Sequence, residues 1–314
     1  MQRVEFDLTP ERPYSLSQTV ARLVRFTTLV DRMTDDGEYS RCLHLNNELA
    51  LMRVNQVGPP SRATLQVTLH GEHVRNRGVR EHAERIVRRS LGAGCKLALF
   101  YQGFRNDPLL ADSVRAHHGM ALCGGATLFE SMVTSIFAQQ VNLKFAYSIY
   151  DELTNRYGDT IEVEGETRVA FPRPARLARV RESTFHNMRL TKAKSGTIVR
   201  MAKAFAKGEL DEDRLGALPD EDVIEQLVAY KGIGRWTAET SLIRGLGRLD
   251  VFPAGDLGVV KKIAIDILGR SKVASEAEMR EFSERWRPYR SLALIYAYAV
   301  LYGDQDPPLR RADA

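Results

Sequence analysis

The sequence predicts an α+β chain in two parts: a small antiparallel sheet with helices over residues 1–100, then an all-helical core over residues 101–314. Three observations carry this. Apolar residues in the first hundred positions alternate with period two, the mark of half-buried strands. From about residue 100 the period shifts to that of amphipathic helices and the β signal nearly vanishes. Within the helical part, Lys231-Gly232-Ile233-Gly234 forms a short glycine turn between two helical segments.

Taken in order, residues 2–8 and 14–26 carry strand-like or mixed apolar runs. Residues 38–57 read as two strands joined at Asn46-Asn47, and residues 63–71 as a strand with Leu65, Val67 and Leu69 on one face. Gly78 to Leu91 is a helix with Val79, Ala83, Ile86 and Val87 inward. Its arginines, Arg80, Arg85, Arg88 and Arg89, read as a solvated face, with a DNA-facing patch as the alternative. Thr127 and Glu130 have the spacing of a capping box before Phe129, Met132, Val133, Ile136 and Phe137. Further helices are predicted at 142–156, 175–182, 190–206, 220–230, 235–245, 257–268, 276–285 and 288–301. Residues 157–174 read as a loop with a brief hairpin, and residues 303–314 as a frayed tail.

The bulk properties allow function without specifying it. The 314 residues suffice for two domains, and 44% hydrophobic with 27% charged residues is ordinary for a soluble globular chain. A net charge of +5 fits a polyanionic partner without demanding one. Cys42, Cys95 and Cys123 are scattered and lack metal-ligand spacing, so neutral free thiols are expected. Neither a secretory signal nor an 18-residue apolar stretch is present, so the cytoplasm is the expected location, with no membrane partner.

The glycine turn supplies a recognisable chemistry. Upstream, Asp220 is placed to cap a helix with apolar positions Val223, Ile224, Leu227 and Val228; downstream, Trp236, Ala238, Leu242 and Ile243 continue on a second helix. Glycines at 232 and 234 let backbone N–H groups approach an external anion closely. Those amides open the second helix, whose unpaired donors and dipole favour phosphate. Asp256 follows 22 residues after Gly234, inside Asp250-Val-Phe-Pro-Ala-Gly-Asp256-Leu-Gly-Val. As a cap it would begin the next helix; as an acid it would face a pocket; the two roles are compatible.

The string GIGRWTA followed at this spacing by DVFP-x-x-D resembles the helix-hairpin-helix (HhH-GPD) family of base-excision DNA glycosylases. Within it the chain is most similar to the DNA-3-methyladenine glycosylase II (AlkA-type) branch. Corroborating segments are DPLLADSVRAHHG, LFESMVTSIFAQQV, MRLTKAKSGTIVRMA and RWRPYRSLALIYAY. The resemblance implies a TATA-binding-protein-like antiparallel domain ahead of the helical core, and an essential acid at Asp256. Bifunctional relatives carry a lysine where this chain has Trp236, so strand cleavage is not expected. The implied activity is release of flipped-out alkylated purines, of the 3-methyladenine and 7-methylguanine type, leaving an abasic site. A glycosylase for hypoxanthine, uracil or an oxidised purine, or a damaged-DNA-binding protein without catalysis, are the alternatives.

The resemblance also assigns parts. Trp236, Tyr298 and Phe137 would wall the base pocket, by stacking and cation–π attraction. Simple packing is the alternative for Trp236 and Tyr298, and one of Tyr296 and Tyr298 belongs to the core. Gly232, Ile233, Gly234, Arg235 and Lys261 would meet the DNA backbone, with solvent exposure the alternative for Lys261 and Lys262. Gln140 stands where relatives insert an apolar wedge, and Thr240 replaces a pocket aromatic. No cofactor is expected beyond a Na⁺ or K⁺ on the backbone carbonyls of Val228, Tyr230 and Ile233. The expected partner is double-stranded DNA with a damaged base, met by a monomer in a bacterial or archaeal nucleoid.

Overall fold

The computed structural model describes residues 1–25, 28–269 and 271–302, without the side chains of 262, 267 and 300–302. The expected tail at 303–314 and the side chain of Lys262 lie outside the described residues.

Five strands, β1 (Gln2–Leu8), β2 (Arg32–Met33), β3 (Tyr39–Leu45), β4 (Glu48–Val57) and β5 (Thr64–Gly71), form one antiparallel sheet in the order β1-β5-β4-β3-β2. Asn46 and Asn47 close β3 on β4 with φ of 50° and 69°, the left-handed pair that a two-residue hairpin requires. Leu65, Val67 and Leu69 of β5 are buried beside Ala50, Met52 and Val54 of β4. They share a core with α1 (Leu16–Val24) and α2 (Arg77–Ser90), whose buried residues include Val79, Ala83, Ile86 and Val87 as expected. Arg80, Arg85 and Arg88 are exposed, and Arg89 turns back to Glu212 and the Ala126 carbonyl.

The chain after residue 100 is helical with one exception. The helices are α3 (Leu97–Phe104), α4 (Ala111–Ala116), α5 (Leu128–Ala138), α6 (Leu143–Tyr157), α7 (Pro174–Leu177), α8 (Glu182–Asn187), α9 (Lys192–Ala206), α10 (Glu212–Gly216), α11 (Asp220–Val228), α12 (Arg235–Leu246), α13 (Glu276–Ser283) and α14 (Arg290–Tyr302), with a π-helix at Gly258–Ile267. Asn142 and Thr191 cap α6 and α9 with their side chains. α5 is central, packed against α6, α9 and α12. Gly245 permits this: a Cβ there would lie 2.8 Å from Leu128 Cα. No described helix is long and apolar enough to cross a membrane.

Several expectations are corrected. The predicted helix at 175–182 is two short ones, α7 and α8, because Arg181 is extended. α3, α4 and α10 were not foreseen. The exception to the helical run is the brief hairpin expected within residues 157–174, formed by β6 (Thr160–Val163) and β7 (Glu166–Val169). It packs Val163 and Ala170 on Cys42 and Leu51 of β3 and β4, so the β signal past residue 100 covers a second face of the sheet. Asp220 does not cap α11, which Pro219 precedes; its carboxylate pairs with Arg248 at 3.2 Å. Val228, expected to face inward, is exposed.

The capping box at Thr127 is half formed. Its hydroxyl accepts from the Glu130 amide at 3.1 Å, but the Glu130 carboxylate turns into the interior. There Arg41 of β3 donates to it at 2.7 and 2.9 Å, Tyr150 of α6 at 2.8 Å and the Ala126 amide at 3.0 Å. Arg41, only 1% exposed, also lies 3.3 Å from Asp31, to which Tyr39 donates. Burial works against the Arg41 charge, but Asp31 and Glu130 outweigh it and hold its pKa well above the ordinary value. Removing one partner from such a cluster strands a buried charge. Glu130→Gln is expected to lower stability by about 3–5 kcal/mol, read as a drop in denaturant midpoint with the slope unchanged.

Candidate active site

The turn between α11 and α12 is a helix-hairpin-helix clamped from its inner side. Gly232 has φ +95°, and a Cβ there would fall 2.0 Å from the Thr197 hydroxyl oxygen of α9. Thr197 and Arg200 donate to the Lys231 carbonyl at 3.3 and 2.9 Å, and Gln139 at the end of α5 donates to the Gly232 carbonyl at 3.2 Å. With these carbonyls held inward, the amides of Gly232, Gly234 and Trp236 take no backbone acceptor among the described residues. Gly234, the residue before α12, has open space where a Cβ would stand. Amides left open in this way are what the first turn of a helix offers to an anion.

Asp256 is brought beside it. Residues 251–254 are buried, and Arg290 at the start of α14 holds the Asp250 carboxylate at 2.9 Å and the Asp250 carbonyl at 2.6 Å. The chain then turns, with the Asp256 amide donating to the Pro253 carbonyl at 2.9 Å. Three donors fix the Asp256 carboxylate: Trp236 Nε1 at 2.7 Å on one oxygen, and the Tyr298 hydroxyl at 2.9 Å and the Gly258 amide at 2.8 Å on the other. The Gly258 contact starts the helix that follows, and Val260 N–H closes on the Asp256 carbonyl at 2.9 Å, so capping and pocket roles coincide.

The carboxylate faces a cavity of about 1600 Å³ also lined by Trp236, Tyr298, Thr240 and Gln140. Room of this order exceeds the 300–1,000 Å³ usual for a small-molecule pocket and leaves space for a nucleotide with its backbone. Gln140 is exposed at the mouth with φ 54°, immediately after α5. Tyr296 belongs to the core, its hydroxyl 2.7 Å from that of Tyr101, which leaves Tyr298 to the site. Trp286 is fully buried between Phe252 and Phe282. Burial pushes the thiol of Cys123, on the cavity wall, up to about 11, so it is a neutral lining group.

Four assigned residues are placed away from the expected contacts. Phe137 is fully buried and lines no part of the cavity; it faces the helical core, not the pocket. Arg235, though exposed, is committed within the protein's own ion pairs, to both Glu221 oxygens at 2.6 and 2.9 Å and to Glu239 at 3.0 Å. Ile233 anchors the hairpin with a buried side chain, and its amide donates to the Tyr230 carbonyl at 3.0 Å. Lys261 is exposed and lies off the cavity lining. Sequence reasoning also missed Gln139, which ties α5 to the hairpin through Gly232 and Thr237. It missed Lys194, whose ammonium donates to the Phe137 and Gln139 carbonyls at 3.1 and 2.7 Å, its pKa lowered by burial. The Gln139-Gln140 pair was the only visible signal for either.

Gly232→Ala is expected to cost about 1–3 kcal/mol of stability from the left-handed backbone. Titration of a labelled duplex should show affinity falling as well, whereas Gly234→Ala, which meets no protein atom, should fold as the parent does.

The comparisons agree with this geometry. A family profile described as "HhH-GPD superfamily base excision DNA repair protein" matches residues 133–288. The chain is 33% identical over 206 residues to the DNA-3-methyladenine glycosylase of Bacillus subtilis, covering 66% of this chain and 68% of that one. It is 28% identical over 183 residues to DNA-3-methyladenine glycosylase 2 of Escherichia coli, covering 58% of this chain and 61% of the relative. In fold it resembles the 3-methyladenine DNA-glycosylase of Archaeoglobus fulgidus, with a TM-score of 0.80 at 23% identity over 98% of this chain and all of that one. The chain belongs to the HhH-GPD superfamily of base excision DNA repair proteins, as a DNA glycosylase of the DNA-3-methyladenine type.

Proposed function

We propose that this chain is a monofunctional glycosylase that hydrolyses the N-glycosidic bond of an extruded alkylated purine and leaves an abasic site. The observation that carries the reading is the Asp256 carboxylate, held by Trp236, Tyr298 and Gly258 on the wall of a nucleotide-sized cavity. Residues 1–100 then form an accessory sheet unit and residues 101–314 the catalytic core. Double-stranded DNA with a damaged base is the substrate, met by a monomer.

The hairpin amides grip a phosphate next to the lesion, a contact that carries no base-sequence information. The target nucleotide leaves the stack so that its C1′ can be reached. As the C1′–N bond lengthens, its electron pair departs with the base and positive charge develops on the sugar. Asp256, unable to rotate, stabilises that charge electrostatically and accepts a proton from the water that attacks C1′. An N-alkylated purine already bears positive charge, so it leaves without elaborate protonation. Of the two lysines in the cavity lining, Lys194 is occupied in capping α5 and Lys144 is exposed at the start of α6, while Trp236 stands where a Schiff-base lysine would be needed.

The hairpin also suits a Na⁺ or K⁺. The carbonyls of Val228 and Ile233 take no backbone donor among the described residues, and Tyr230 uses its carbonyl once. Bound there, the ion would add positive charge next to the phosphate.

Asp256→Asn is expected to bind a lesion-bearing duplex while base release falls by roughly 10³-fold or more, the scale lost with one preorganised charge-stabilising group. Unchanged release would remove catalysis through this acid. Product strands from the parent protein should break only after heat and alkali, and cleavage beforehand would contradict the monofunctional assignment. Affinity should fall steeply with added salt, with a slope near −0.9 per phosphate contacted.

A further inference from the structure

The cavity holds a second feature that the reaction just described does not use. Arg22, exposed on α1, lines the cavity, and its guanidinium stands 5.6 Å from the centre of the Tyr298 ring. That ring is fixed by its hydrogen bond to Asp256, so Arg22 is placed relative to the acid through one side chain. The cavity has three carboxylates in its lining. Asp31 and Glu130 belong to Arg41, and Asp256 is held by its three donors. Among the described residues none pairs with Arg22. Arg244 of α12 is also in the lining. It adds a second positive charge and no acceptor, so the cavity wall offers the Arg22 guanidinium a ring face but no carboxylate.

A guanidinium stays charged at neutral pH and carries five N–H donors with no acceptor. Once an extruded base fills the cavity and displaces water, donors left without partners cost free energy, and a base that supplies an acceptor avoids that cost. A base that turns an exocyclic amine toward the same donors leaves them unmet. Pockets built to hydrogen-bond a ligand discriminate most strongly against the analogue that cannot.

Resting on the glycosylase reading, we propose that Arg22 is a specificity-determining residue of the base pocket. It donates to a carbonyl oxygen on the extruded base, so it raises release of oxopurines such as 7-methylguanine and hypoxanthine relative to 3-methyladenine. Tyr298 serves as the platform that keeps the guanidinium in place, and the cation–π contact spares Arg22 a carboxylate that would compete with the base.

The test uses the full chain and three duplexes of one sequence, carrying 7-methylguanine, hypoxanthine or 3-methyladenine, with single-turnover release measured for each. In Arg22→Leu the ratio of oxopurine to 3-methyladenine release should fall about 10-fold or more, the scale of one hydrogen bond from a charged group to a base oxygen. Arg22→Lys keeps the charge without the planar fork and should fall between the two. Ratios unchanged within about two-fold in both variants overturn the proposal, because a phosphate contact or a purely structural arginine would slow all three lesions alike. Were the parent protein to release none of the three, the glycosylase reading would fall and this one with it. A parent that releases them with unmoved ratios in the variants sinks the arginine role alone.

Discussion

The arrangement of the cavity depends on the buried guanidinium of Arg41. A cation almost without solvent is tolerable only where carboxylates surround it. Asp31, just before β2, and Glu130, in the first turn of α5, meet it from two directions. The sheet, the segment leading into it and the central helix of the core are thereby bound in one register. α1 rides on the sheet unit, and so a residue near position 20 comes to face one near position 300. The same three charged groups form part of the cavity wall, so support and site share atoms.

On the opposite side, the site is organised around a carboxylate that is fixed and yet open. A buried, unpaired Asp256 would be costly, and a fully solvated one would be free to rotate. Two aromatic side chains and one helix amide resolve this by donating to both oxygens while one side stays open to the cavity. Each ring then serves twice, holding the acid through its polar edge and offering an apolar face to whatever enters. The loop that delivers the acid is itself tied down at Asp250 by Arg290 and Arg287, so its position follows from the start of α14.

The hairpin shows the same economy. Its inward carbonyls are taken by Thr197, Arg200 and Gln139, from helices that the sequence separates widely from it. Its outward amides take no backbone acceptor among the described residues, and the glycine at 232 is needed because α9 comes so close. Arg235 illustrates the reverse. Its position at the start of α12 marks it as a phosphate contact, but two glutamates already claim it.

Local chemistry was legible in the chain alone. The Asn46-Asn47 turn, the alternation of β5, the faces of α2 and the glycine elbow all follow from backbone preferences and short-range periodicity. The resemblance of the glycine elbow and the DVFP-x-x-D string singled out Asp256, and the structure places its carboxylate on the cavity wall. What the sequence could not fix was direction. Glu130 has the spacing of a cap and becomes a buried counter-ion; Phe137 has the look of a pocket wall and becomes core; Arg22 gives no signal and becomes a cavity residue. In each case the partner lies far off in sequence, and which face a side chain shows is set by packing between elements. The sequence by itself determined which reactive groups exist and how far apart they fall along the chain. Only the tertiary structure decided which of them meet, because charges and donors commit to the nearest partner in space.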